Sequence, residues 1–229
     1  MTYVFYWGAA PVTRFRSILL AGATLGLGFG LAGCAKDKSE LDETGGRQIT
    51  RSVCPAVAVP AYTDTVSLFT VAGSHDSRAL DITATITNFR THCDDTGATV
   101  HSNTTFDVVA QRASPAGARD IVLPYFTTVV RAGSTIMSKQ LGQVQVHFND
   151  GQVRGSGSAS ASADIARALA TLPARVSGEL NRRRRAGDAD ASVDPMSDPR
   201  VRSAVSQANF ELLVGFQLTE DQLAYNASK

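Results

Sequence analysis

The sequence predicts a mainly β domain: an antiparallel two-layer sandwich, Ig-like or fibronectin-like, with a helical insertion before its last strand and a short C-terminal helix. Three observations predict it. From Val66 onward apolar and polar residues alternate with period two. Turn residues punctuate the chain at short intervals. The period then turns helical over about residues 164–208 before an alternating segment returns. One hallmark of Ig domains is missing, because Trp7 is the only tryptophan and it lies in the N-terminal signal.

The elements follow in chain order. In Leu80–Phe89 the apolar set Leu80, Ile82, Ala84 and Ile86 faces away from Asp81, Thr83, Thr85 and Thr87, which describes a half-buried strand. Phe106, Val108 and Ala110 alternate with Thr105, Asp107 and Gln111, although Val109 intrudes. Ile121–Arg131 and Thr135–Met137 are rich in β-formers. Val144, Val146 and Phe148 alternate with Gln143, Gln145 and His147, and Asn149-Asp150-Gly151 then signals a hairpin into Gln152-Val153-Arg154. The partner strand fades into Gly155-Ser156-Gly157-Ser158-Ala159, where small residues imply tight packing or a bend.

Ile165, Leu169, Leu172, Val176 and Leu180 have helical spacing, which Pro173 divides into two helices. Arg182–Asp194 is charged and loop-like. Asp198-Pro199 caps and opens a helix running to about Gln207. Phe210, Leu212, Val214, Phe216 and Leu218 define an apolar, central last strand. Thr219-Glu220-Asp221-Gln222 is a capping box that starts the C-terminal helix.

The N-terminal segment has a different character. Arg14 and Arg16 precede the apolar stretch Ile18–Leu31. That stretch is shorter than the about 20 residues a membrane-spanning helix needs, but it suits an export signal. It ends in Leu31-Ala32-Gly33-Cys34, and here the sequence resembles the bacterial lipoprotein family, whose lipobox is Leu, a small residue, Gly or Ala, then Cys. The resemblance covers residues 1–34. It implies diacylglyceryl attachment to the Cys34 sulfur, cleavage before Cys34 and acylation of the new terminus, which together give stable membrane anchoring. Ala35 stands where enterobacterial lipoproteins retained on the inner membrane carry Asp. By that resemblance the address is the periplasmic face of the outer membrane of a Gram-negative bacterium. The expected organisation is a signal at 1–33, a lipidated tether at 34–50 and one domain at 51–229. Residues 35–50 are polar, and as a flexible chain they would reach about 20 Å.

Composition narrows the partners. The chain carries 22 basic and 21 acidic residues, and removing Arg14 and Arg16 leaves 20 against 21. A near-neutral mature chain is not built for bulk attraction to nucleic acid. Of the three cysteines, Cys54 and Cys93 remain as an even pair in an exported chain, which favours a disulfide. The rival is a metal site around His92-Cys93-Asp94-Asp95, for which Cys54 brings no nearby His or acid.

No catalytic motif is present. The Gly155–Ser162 run does not form G-x-S-x-G, and neither H-E-x-x-H nor a phosphate-binding loop occurs. The four histidines are scattered, with His147 on the polar phase of its strand. Asp94-Asp95-Thr96-Gly97 reads as a turn rather than a calcium loop, lacking alternating acids. Asn103-Thr104-Thr105 and Asn226-Ala227-Ser228 match the glycosylation sequon by accident in a bacterial chain.

Arg182, Arg183, Arg184 and Arg185 form the sharpest charge feature. They mark either a contact with an anionic lipid or lipopolysaccharide, or a solvated helix end compensated by Asp188 and Asp190. The expectation is therefore an envelope lipoprotein without catalytic residues, cofactor or metal, whose β-domain binds a protein partner or supports an envelope complex. The alternative is a binding module for lipopolysaccharide, glycan or another anionic ligand; a third reading, ranked below these, is an enzyme with scattered catalytic residues and no recognisable motif.

Overall fold

The structure is a computed structural model that describes residues 51–182 and 184–228. The signal, Cys34, Ala35 and the tether to Thr50 lie outside the described residues, as does Arg183. The strands are β1 (Ala56–Ala58), β2 (Thr65–Phe69), β3 (Leu80–Asp94), β4 (Thr99–Arg112), β5 (Arg119–Arg131), β6 (Thr135–Phe148), β7 (Arg154–Ala166) and β8 (Phe210–Phe216). The helices are α1 (Arg167–Ala170), α2 (Ala174–Leu180) and α3 (Pro199–Gln207) between β7 and β8, then α4 (Glu220–Ala227).

The domain is mainly β, and all eight strands share one hydrogen-bonded order, β1-β8-β5-β6-β7-β4-β3-β2. The sheet is mixed, not antiparallel as the sequence suggested: β1 runs parallel to β8, pairing Ala56 with Glu211. Almost the whole domain lies between these two strands in sequence, so no tight hairpin imposes opposite directions on them.

The sheet curls until its margins meet. Thr63, just before β2, accepts a backbone hydrogen bond from Phe216 of β8 (2.8 Å). Gly215 permits this approach, because a Cβ there would collide with the Thr63 side chain. Cys54, before β1, is bonded to Cys93 in β3, with Cα atoms 6.2 Å apart. The expected disulfide is thus present, and it joins opposite margins of the order.

The core lies inside the curl. Phe106 of β4 meets Tyr125 of β5 edge-on at 5.2 Å, although β6 and β7 separate these strands in the sheet. Ile82, Val108, Val144, Phe148, Leu212 and Phe216 are almost completely buried around them. In β4 the alternation is unbroken: Val109 simply faces outward, and the buried phase continues through Ser102, Thr104 and Arg112. In β3 a register shift between Thr87 and Arg90 coincides with the positive φ of Asn88 (56°), a bulge that the apolar pattern does not reveal.

Two hairpins set the shape of the centre. Arg131-Ala132-Gly133-Ser134 joins β5 to β6 with φ values of 55° and 75° at its two middle residues, as a type I′ turn requires. Asn149-Asp150-Gly151-Gln152 joins β6 to β7, with Gln152 N donating to Asn149 O (3.1 Å) and Gly151 at φ 79°. This is the hairpin read from the sequence.

The expected helix from Ile165 is corrected. β7 runs as a strand through Ala166, and Ala161, Ala163 and Ile165 are its buried phase. Continuous pairing with β4 along the whole strand overrides the helical spacing of Ile165 and Leu169. The stripe Leu169, Leu172, Val176 and Leu180 forms no fully buried face, and among the described residues α1, α2 and α3 themselves bury only Ala170 and Val201, with Ala208 buried just after α3. The caps are as read: Asp198 accepts from Arg200 N (2.8 Å), and Thr219 and Gln222 form the capping box of α4.

Candidate functional site

The feature that most departs from a closed sheet is the seam between β6 and β7. β7 pairs with β4 along its length, from Arg154 opposite Gln111 to Ala166 opposite Thr99. With β6 it makes a single pair, Ser156 opposite His147. At that end the strands come close because Gly155 and Gly157 carry no Cβ; one there would strike the carbonyl oxygens of His147 and Gln145. Further along, Tyr125 fills the opening from inside. Its ring lies over Gly142 of β6, where a Cβ would overlap it, and its hydroxyl donates to Ser160 O of β7 (2.9 Å). Burial raises the Tyr125 pKa, so the phenol stays a protonated donor.

Beyond Tyr125, β6 is an edge. Residues 135–141 pair only with β5, so the backbone groups that point the other way face outward. Ile136, Met137 and Leu141 are 65%, 48% and 69% exposed there. Met137 falls at a register shift between Ser138 and Ile136, which turns it out of the ladder. Lys139 is the one charge on the segment, and its ammonium lies 5.3 Å over the Phe126 ring. An edge this long, apolar and weakly charged is an invitation to another strand.

The other end of the same hairpin is closed by Arg112, which is 3% exposed. Its guanidinium donates to the carbonyls of Gln152 (2.8 Å), Gly117 (2.8 Å), Pro115 (2.7 Å) and Asn149 (3.0 Å), and lies 5.2 Å over the Phe148 ring. Arg112 is therefore a structural clasp that knits β4 to two turns. Sequence reasoning passed over it. The signal was there: a lone Arg on the buried phase of an otherwise apolar and small-polar strand.

The residues singled out from sequence are dispersed. Arg182 contacts Asp190, and Arg184 Nε lies 3.5 Å from the same carboxylate. The backbone N–H of Arg185 donates to Asp188 (2.8 Å). Arg182 and Arg184 thus share one carboxylate of their own loop. Asp94 accepts from Thr96 N and Thr96 Oγ1 at 3.0 and 2.8 Å, forming the expected turn, and these bonds lower its pKa. Cys93, in the disulfide, offers no thiolate to a metal. Among the described residues no group of three or more His, Cys, Asp or Glu is placed to hold a metal ion.

Three of the histidines pair with aspartates. His101 bonds Asp164 (2.7 Å), His147 bonds Asp120 (2.8 Å) and His75 bonds Asp221 (3.1 Å). The His147 pKa is raised, chiefly by its hydrogen bond to Asp120, and that bond lowers the Asp120 pKa. His75 and Asp221 line a cleft of about 230 Å³ with Phe69 and Tyr225, whose rings meet edge-on at 5.2 Å. This cleft is the seam by which α4 docks on β2. The Asn226 amide completes it, donating to Tyr62 O and Thr65 O (2.8 and 2.6 Å). The second sequon asparagine is thereby committed to holding a helix.

The chain matches no protein-family model, no curated protein and no solved structure.

Proposed function

We infer that this chain is a cell-envelope lipoprotein, anchored through Cys34 at the periplasmic face of the outer membrane. Its β-domain is non-catalytic and takes an extended strand of an envelope protein onto the open edge of β6. The lipobox Leu31-Ala32-Gly33-Cys34 supports the anchor. The Cys54–Cys93 disulfide supports an oxidising destination. The observation that carries the binding reading is the length of β6 left without a partner beyond His147, with Ile136, Met137 and Leu141 exposed along it. Strand addition would satisfy the outward backbone groups of residues 135–141 and cover the three apolar side chains together. The same opening supports a finer view of the architecture, in which β1-β8-β5-β6 and β7-β4-β3-β2 act as two facing layers joined at one corner.

Two measurements test the proposal. Cells fed an alkyne-bearing palmitate should label the wild-type chain and not Cys34→Ala; equal labelling of the two overturns the anchor. A photo-crosslinking amino acid at position 137, used in intact cells, should capture an extended, alternating segment of one envelope protein. Capture should vanish in Ile136→Lys/Leu141→Lys. Identical products from position 193, an exposed site in a loop, or capture that survives the double substitution, overturns the edge.

A further inference from the structure

We propose that the outer face of β3, β4 and β7 is a second, independent binding site, for a saccharide that carries an anionic group. The register sets out the site. Thr83 of β3 is opposite Gln111 of β4, which is opposite Arg154 of β7. One step along, Thr85 is opposite Val109, which is opposite Ser156. Cross-strand partners share a face, so these residues form two outward rows, about 7 Å apart along the strands with columns about 5 Å apart. All of them but Ser156 line a depression of about 620 Å³ that Leu80 helps to close.

The chemistry of the rows selects the ligand. Among the described residues, no hydrogen bond or ion pair engages the side chains of Thr83, Gln111 or Arg154. Three different polar groups thus stand ready on one row: a hydroxyl, an amide and a guanidinium. Val109, 45% exposed, gives the second row an apolar floor. A polyhydroxylated ring with one apolar face fits this mixture, since hydroxyl and amide groups both donate and accept while the floor takes carbon.

Charge fixes the orientation. Arg154 is free to form a bidentate pair with a carboxylate or phosphate. The nearby Asp81 does not compete for it, being held by Arg119 at 2.8 Å. On the far side of Val109, Asp107 is engaged by Ser158 Oγ (2.8 Å) and by Asn88. The anionic group of the ligand therefore lies at the Arg154 end and its neutral hydroxyls toward Thr85. The arginines at 182 and 184 share Asp190, whereas among the described residues no acidic side chain engages Arg154, which gives this face its anion contact.

The test uses the full-length chain in detergent, titrated calorimetrically with trigalacturonate, glucose 6-phosphate and neutral cellotriose. At least one charged sugar should bind saturably, and cellotriose should bind about tenfold or more weaker; which charged sugar wins distinguishes a carboxylate source from a phosphate source. Arg154→Gln should weaken the charged sugar by about tenfold or more, the loss of a charge-assisted hydrogen bond. Gln111→Ala should weaken charged and neutral sugars alike. Both positions are outward-facing, and unchanged thermal unfolding will show that the variants fold. Three outcomes overturn the site: no saturable binding of either charged sugar, affinities unchanged in Arg154→Gln, or a loss confined to Arg182→Gln/Arg184→Gln.

Discussion

The two ends of the β6–β7 hairpin are built from adjoining stretches of the same strands and behave in opposite ways. At the turn end, Gly155 and Gly157 let β6 press against β7, and Arg112 binds four carbonyls around the corner. At the far end, Tyr125 spans from Gly142 to Ser160 and the ladder does not resume. The difference teaches that strand pairing here is decided by what stands between the backbones. Small residues alone do not open the seam, for Ser158–Ala166 of β7 pairs fully with β4. The seam is open where Tyr125 of β5 lies over Gly142 and its hydroxyl reaches Ser160.

The largest break in this comparison should come from Arg112→Met. It removes the donor from the Gln152 and Gly117 carbonyls and one of two donors from those of Asn149 and Pro115, which keep the N–H groups of Gln152 and Gly151. About 3–4 kcal/mol of stability should be lost in denaturant unfolding. Gly157→Val should come next. Its side chain would strike the Gln145 carbonyl, so the strands must part at the turn end as they already do at the far end. The expected cost is about 2–3 kcal/mol, with faster amide exchange around His147 and Ser156. Tyr125→Phe removes the hydroxyl that Ser160 accepts from, and should cost about 1 kcal/mol. If Tyr125→Phe matched Arg112→Met in cost, the two ends would be equally dependent on side-chain clasps and the contrast would fail.

The smallest effect belongs to His147, beside the one β6–β7 pair. Its pKa is raised in the fold by Asp120, so its contribution is complete below the unfolded histidine value of about 6.5 and is lost as pH rises through the folded value. The Asp120 pKa is lowered, so its share is present above the unfolded carboxylate value and lost as pH falls through the folded one. Thermal midpoints of the wild type should therefore decline slightly from pH 6 to pH 8. In His147→Gln that slope should flatten, and an unchanged slope would remove His147 from the account.

Legibility followed the strength of local patterns. The alternation of Leu80–Ile86, the Asn149-Asp150-Gly151 turn and the caps at Asp198 and Thr219 were all readable, because each depends on neighbours within a few residues. Ile165 was misread because it satisfies two periods at once: it ends the set Ala161, Ala163, Ile165 and begins a helical set with Leu169. Alanine at the first two positions weakens the strand signal. Arg112 stands out in the sequence as a cation on a buried phase, but its four acceptors come from two separate turns that only the fold brings to it. The sites proposed here were no more visible, since an open edge and a row such as Thr83, Gln111 and Arg154 exist only once register is set.

The β class, the main turns, the pairing of two cysteines and the resemblance that points to Cys34 can all be read from the residues alone. These depend on local periodicity, backbone preferences and short motifs. Only the tertiary structure decided that β1 runs parallel to β8, that the sheet curls until Thr63 meets Phe216, and that β6 parts from β7 beyond His147. Those outcomes rest on contacts between residues far apart in the chain, where one missing Cβ or one inserted ring determines which backbones touch.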